Sequence, residues 1–123
     1  MATKITDSEL EVMRILWREG RPLSFAEIRK ELESKTSWSK STIQTLVVRL
    51  RDKGIIGTHN HYVTLYTHNI TEEEYLRAEE RNFLDKFFDG SAKKLVAALC
   101  KSGQLGENDI DELKDFFKMS GDA

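Results

Sequence analysis

The amino-acid sequence predicts a mainly α-helical chain with one small β-hairpin. Residues 1–70 should form three helices and the hairpin, and residues 71–123 three further helices. Three observations carry this. Thr6-Asp7-Ser8-Glu9, Ser24-Phe25-Ala26-Glu27 and Thr71-Glu72-Glu73-Glu74 each have the spacing of a capping box, in which hydroxyl and carboxylate satisfy each other's backbone N–H groups. Apolar residues recur at helical spacing behind each box. Residues 55–67, by contrast, are rich in β-branched and aromatic side chains.

Taken in order, Leu10, Met13 and Trp17, with Val12 and Leu16 beside them, give the first helix an apolar face to about Glu19, and Gly20 suits its left-handed cap. Pro22, the only proline, lies in an extended link where Arg21–Leu23 is a candidate third strand. Helix two turns Phe25, Ile28 and Leu32 inward. A polar turn at 34–37 leads to helix three, from about Ser39 to Lys53, which Gly54 ends. Ile55–Thr58 and Tyr62–Thr67 read as the hairpin, with His59-Asn60-His61 at its tip. The fourth helix carries Leu76, Phe83, Leu84, Phe87 and Phe88 and breaks at Asp89-Gly90-Ser91. A short helix with Leu95, Val96 and Leu99 follows, then a loop at 102–106 and a last helix with Ile110, Leu113, Phe116 and Phe117. These C-terminal faces are too small to bury alone, so two chains are expected to share one core through Leu76, Phe83, Phe87, Leu95, Leu99, Ile110, Leu113, Phe116 and Phe117.

Composition narrows the function. Nothing approaches a membrane span, and the N-terminal MATKITDSELEVM has no apolar signal core, so the chain is expected to stay in the cytoplasm. The single Cys100 excludes an intrachain disulfide framework. A net charge of −2 conceals a division. Residues 1–70 hold 11 Lys/Arg against 8 Asp/Glu, a balance of +3, whereas residues 71–123 hold 8 against 13, a balance of −5. A polyanion would meet the first half.

Helix three shows how. At about 100° per residue, Ile43, Leu46, Val47 and Leu50 fall on one stripe, and Ser41, Gln44, Thr45 and Val48 fall opposite. Lys40 and Arg51 flank that second face on one side, Arg49 and Lys53 on the other. An ordinary solvated helix would place carboxylates there, yet Asp52 is the only acid between Ser34 and Asn69. Short hydroxyls and an amide suit base edges, Val48 suits a thymine methyl, and long cations suit phosphates. The expected base-reading set is therefore Ser41, Gln44, Thr45 and Val48. The expected phosphate set is Ser39, Lys40, Arg49, Arg51, Lys53, His59 and His61.

Three helices followed by a hairpin is the order of a winged helix-turn-helix, with helix three as the recognition helix. On Glu9-Leu10-Glu11-Val12-Met13 through Trp17, on Trp38-Ser39 with Thr42-Ile43-Gln44-Thr45-Leu46, and on Arg49-Leu50 with Lys53-Gly54, the chain resembles the penicillinase-repressor (BlaI/MecI) family. Leu95-Val96 and Ile110-Asp111-Glu112-Leu113 extend the resemblance to nearly the full length. The resemblance implies a homodimeric repressor on palindromic double-stranded operators of TACA/TGTA type, typically of β-lactam resistance genes. It also implies release when a sensor-linked membrane metalloprotease triggers cleavage in the C-terminal domain. The best-known members are cut at an Asn–Phe bond; this chain aligns Ala98–Leu99 there.

Other readings have less in their favour. His59 and His61 are two apart and would share a strand face, which suits a soft or borderline cation. Copper-responsive repressors of similar fold, however, carry a C-terminal cysteine cluster that this sequence lacks, and no metal or cofactor is expected. No phosphate loop, HExxH or nucleophile elbow is present, and Cys100 sits on an apolar helical stretch, so no enzyme is expected. A winged helix serving as a protein-interaction module is the remaining alternative, and the cation-flanked helix three argues against it.

Overall fold

A computed structural model describes residues 4–120. The order is α1 (Asp7–Glu19), β1 (Leu23–Ser24), α2 (Phe25–Lys35), α3 (Lys40–Asp52), β2 (Ile56–Asn60), β3 (Thr64–His68), α4 (Glu72–Phe88), α5 (Ala92–Lys101) and α6 (Glu107–Ser120). The chain divides into two compact units, one up to Leu76 and one from Arg77. Among the described residues, no helix is long and apolar enough to cross a membrane.

All three capping boxes form. The Thr6 hydroxyl accepts the Glu9 N–H at 3.2 Å while Glu9 accepts the Thr6 N–H at 3.0 Å. Ser24 with Glu27, and Thr71 with Glu74, make the same reciprocal pair. Each box satisfies N–H groups that a helix start leaves unpaired, so local chemistry alone sets where α1, α2 and α4 begin. Ser39 caps α3, its hydroxyl accepting the Thr42 N–H at 3.2 Å. At the other end Gly54 takes a positive φ of 78°, which a side chain would strain.

The core lies wholly in the first unit. Val12, Met13, Ile15 and Leu16 of α1 meet Ile28 and Leu32 of α2 and Ile43, Leu46, Val47 and Leu50 of α3, and Ile5, Leu23, Ile55 and Ile56 close the cluster. A three-stranded antiparallel sheet in the order β1-β3-β2 completes this winged helix-turn-helix. Leu23 pairs with Tyr66 and Ser24 with Leu65, so the third strand sits at Leu23–Ser24 and not at Arg21–Leu23. The hairpin also differs from the expectation. Pairing runs from Ile56–His68 to Asn60–Thr64, which puts His59 and Asn60 in β2 and makes His61-Tyr62-Val63 the turn. Tyr62 and Val63 have strand propensity but no cross-strand partner, and register overrides propensity. Gly57 lies close against Asn69. A Cβ there would lie 3.0 Å from Asn69 Oδ1, whose amide donates to the Gly54 carbonyl at 3.1 Å.

In the second unit α4 ends where Asp89 and Gly90 both take positive φ, and Ser91 caps α5 through the Lys94 N–H. No residue of α4, α5 or α6 is buried. Leu76, Phe83, Phe87, Leu113, Phe116 and Phe117 are exposed, the last two at 70% and 73%, and so are Val96 and Met119. Leu95, Leu99 and Ile110 are half-buried. The Ala98–Leu99 bond lies inside α5, with both carbonyls accepting N–H groups, from Ser102 and Gln104.

Candidate nucleic-acid interface

Helix α3 has one buried stripe, Ile43, Leu46, Val47 and Leu50. On the opposite side Ser41, Gln44 and Thr45 are exposed and Val48 is half-buried. The apolar spacing that drives α3 into the core therefore turns the hydroxyl-and-amide face outward. The Thr45 hydroxyl donates to the Ser41 carbonyl at 2.9 Å, leaving its oxygen lone pairs free to accept. The Ser41 and Thr42 hydroxyls lie 3.2 and 3.1 Å from that of Ser39, so the start of α3 carries several small hydroxyls.

Cations surround this face. Lys40 and Arg49 are exposed and form no ion pair among the described residues. Arg51 touches the adjacent Asp52 at 3.3 Å, a solvent-exposed pair of little energetic weight, and stays available. Lys53 is different, because its ammonium already has partners within the fold. Its ammonium is 2.6 Å from Glu9 Oε1 and 2.9 Å from the Lys4 carbonyl, so it is tied to the start of α1 while the residue itself stays exposed. Burial by itself would raise the Glu9 carboxyl. Hydrogen bonds from Lys53 and the Thr6 backbone, with the Lys53 charge, outweigh that and hold it below its ordinary value.

A shallow groove beside the face was not foreseen. Thr6 and Ser8 from the start of α1 line it together with Trp38, Thr42, Thr45, Leu46 and Arg49. The signal in the sequence was the box at Thr6 and the hydroxyls around Ser39, but their proximity depends on α1 crossing α3. His59 is exposed on β2, and His61 begins the turn, its N–H donating to the Val63 carbonyl at 3.1 Å. Tyr62, fully exposed, occupies the tip expected for the histidines. Among the described residues no three His, Cys, Asp or Glu side chains group as metal ligands.

The fold, with this face of α3 exposed, is of the winged-helix class. A family model described as penicillinase repressor matches residues 5–119, and the chain belongs to that family. It is 36% identical over 111 residues to the penicillinase repressor of Bacillus licheniformis, covering 89% of this chain and 86% of that one. It is 29% identical over 113 residues to the methicillin resistance regulatory protein MecI of Staphylococcus aureus, covering 91% of each. Among solved structures, the DNA-binding domain of the repressor BlaI matches 60% of this chain and 94% of its own, at 40% identity and a TM-score of 0.53. Bacillus licheniformis BlaI, solved as a monomeric form in complex with the blaP half-operator, matches 61% of this chain and 92% of its own, at 39% identity and a TM-score of 0.54.

Proposed function

We propose that this chain is a homodimeric repressor that places α3 of each protomer in the major groove of a palindromic operator of the TACA/TGTA type. The genes it controls are of the β-lactam-resistance kind, as the names of its relatives suggest. It acts in the cytoplasm and catalyses no reaction. The observation that carries the reading is the acid-free face of α3, with Ser41, Gln44 and Thr45 outward between Lys40, Arg49 and Arg51. Base edges are read by such short donors and acceptors, and phosphates by the flanking cations. A relative of the same fold, solved on a half-operator, supports this use of the domain.

Dimerisation belongs to α4–α6. Their eight exposed large apolar residues have no core of their own to enter, and a second copy supplies one. Two linked half-site contacts make the second effectively intramolecular, raising avidity by about 10²–10⁴. Loss of the C-terminal unit then releases the operator without altering α3. A sensor-linked protease is the partner that the family resemblance suggests. The Ala98–Leu99 bond is helical, so cleavage there requires the end of α5 to unwind.

The test compares the full chain with residues 1–76, which contain every buried apolar residue among those described and so keep the core. Sedimentation gives the mass of each, and anisotropy the affinity for a palindrome and for a half-site. A dimer that binds the palindrome tightly, against a monomeric fragment that binds both duplexes weakly, is the expected result. A fragment that is dimeric, or that matches the full chain on the palindrome, refutes the proposal.

A further inference from the structure

Glu9 is the one charged residue fully buried among those described, at 0% exposure. Only one of its oxygens is engaged: Oε1 takes both the Thr6 N–H and the Lys53 ammonium, while Oε2 is buried without a hydrogen-bond partner. Burying a carboxylate is costly, and well-packed apolar side chains in place of an ion pair are often equally stable. Stability alone does not account for the pair. Its location does. Lys53 is the C-cap residue of α3, and Glu9 lies in the first turn of α1. The hydrophobic drive between these helices is non-directional and by itself singles out no particular slide or roll. A short charge-assisted hydrogen bond, anchored a second time by the capping box and the Lys4 carbonyl, resists both. Base reading requires side chains held to within about 0.5 Å and 10–20°.

We propose that Glu9 and Lys53 are positioning residues for base reading: their bond fixes the rotation and tilt of α3 on α1, and thereby where Ser41, Gln44 and Thr45 meet the base edges. The inference rests on the DNA-reading function proposed above. It also separates Lys53 from the phosphate-contacting cations, and the two roles leave different signatures.

The experiment uses the full chain and its Lys53→Met and Glu9→Gln/Lys53→Met variants, at a temperature where circular dichroism shows each folded. Affinity is measured over a salt series for a duplex carrying a TACA/TGTA palindrome and for a shuffled duplex of equal composition. The expected result is that Lys53→Met lowers the palindrome-to-shuffled affinity ratio by about tenfold and leaves the slope of log K against log salt unchanged. The double variant removes both charges and so avoids a stranded carboxylate. It should remain folded where the single variant does not, and show the same loss of ratio. Equal losses on both duplexes with a slope flatter by about one unit would make Lys53 a phosphate contact and overturn the proposal. An unchanged ratio in folded variants would reduce the pair to a structural one and overturn it too. If the unaltered chain fails to distinguish the duplexes, the DNA-reading function itself falls.

Discussion

The indole N–H of Trp17 donates to the Ile70 carbonyl at 2.9 Å, joining α1 to the segment that enters α4. The Trp17 ring also lies 5.6 Å from that of Tyr75, so the first turn of α4 is held to the winged-helix core. Trp17→Phe keeps an aromatic ring but removes the donor. Unfolding by denaturant should show a loss of about 1–2 kcal/mol, with the helix content intact. A loss below about 0.5 kcal/mol would mean that water replaces the indole without penalty.

Gln44 is the one amide on the exposed face of α3 and suits a bidentate contact with adenine. Gln44→Ala should cost about 1–3 kcal/mol on the cognate palindrome and little on shuffled DNA. Equal losses on both would remove it from the reading set.

The cations around that face should behave differently. Lys40→Ala, Arg49→Ala and Arg51→Ala are each expected to weaken all sequences alike and to flatten the salt slope by about one unit. Three unchanged slopes would mean that α3 docks in some other orientation.

Acid stability reports on Glu9. Its carboxyl is held below its ordinary value of 4.5, so the folded state favours the ionised form. That contribution is present above 4.5 and is lost as pH falls through the lowered folded value. At pH 7, Glu9→Gln should cost about 1–3 kcal/mol, because Lys53 keeps its charge without a counterion. The gap between variant and parent should close progressively as the pH is taken below 4.5. A gap of constant size in denaturant titrations across that range would show that the carboxylate charge contributes nothing.

Helix starts were legible in the sequence because capping is local: Thr6 with Glu9, Ser24 with Glu27 and Thr71 with Glu74 lie three residues apart and need no tertiary partner. The division of α3 into a core stripe and an exposed hydroxyl-and-amide face was legible for a similar reason, since helical periodicity assigns both sides at once. Tertiary structure decided the rest. Lys53 and Glu9 are 44 residues apart, and spacing alone could not reveal that this cation pairs with the buried carboxylate of α1. The hairpin tip fell at His61-Tyr62-Val63 because strand register, a property of two segments, outweighed the strand propensity of Tyr62 and Val63. Likewise the first unit extends to Leu76, since Tyr75 packs on the core through Trp17, a contact across 58 positions that no local pattern encodes.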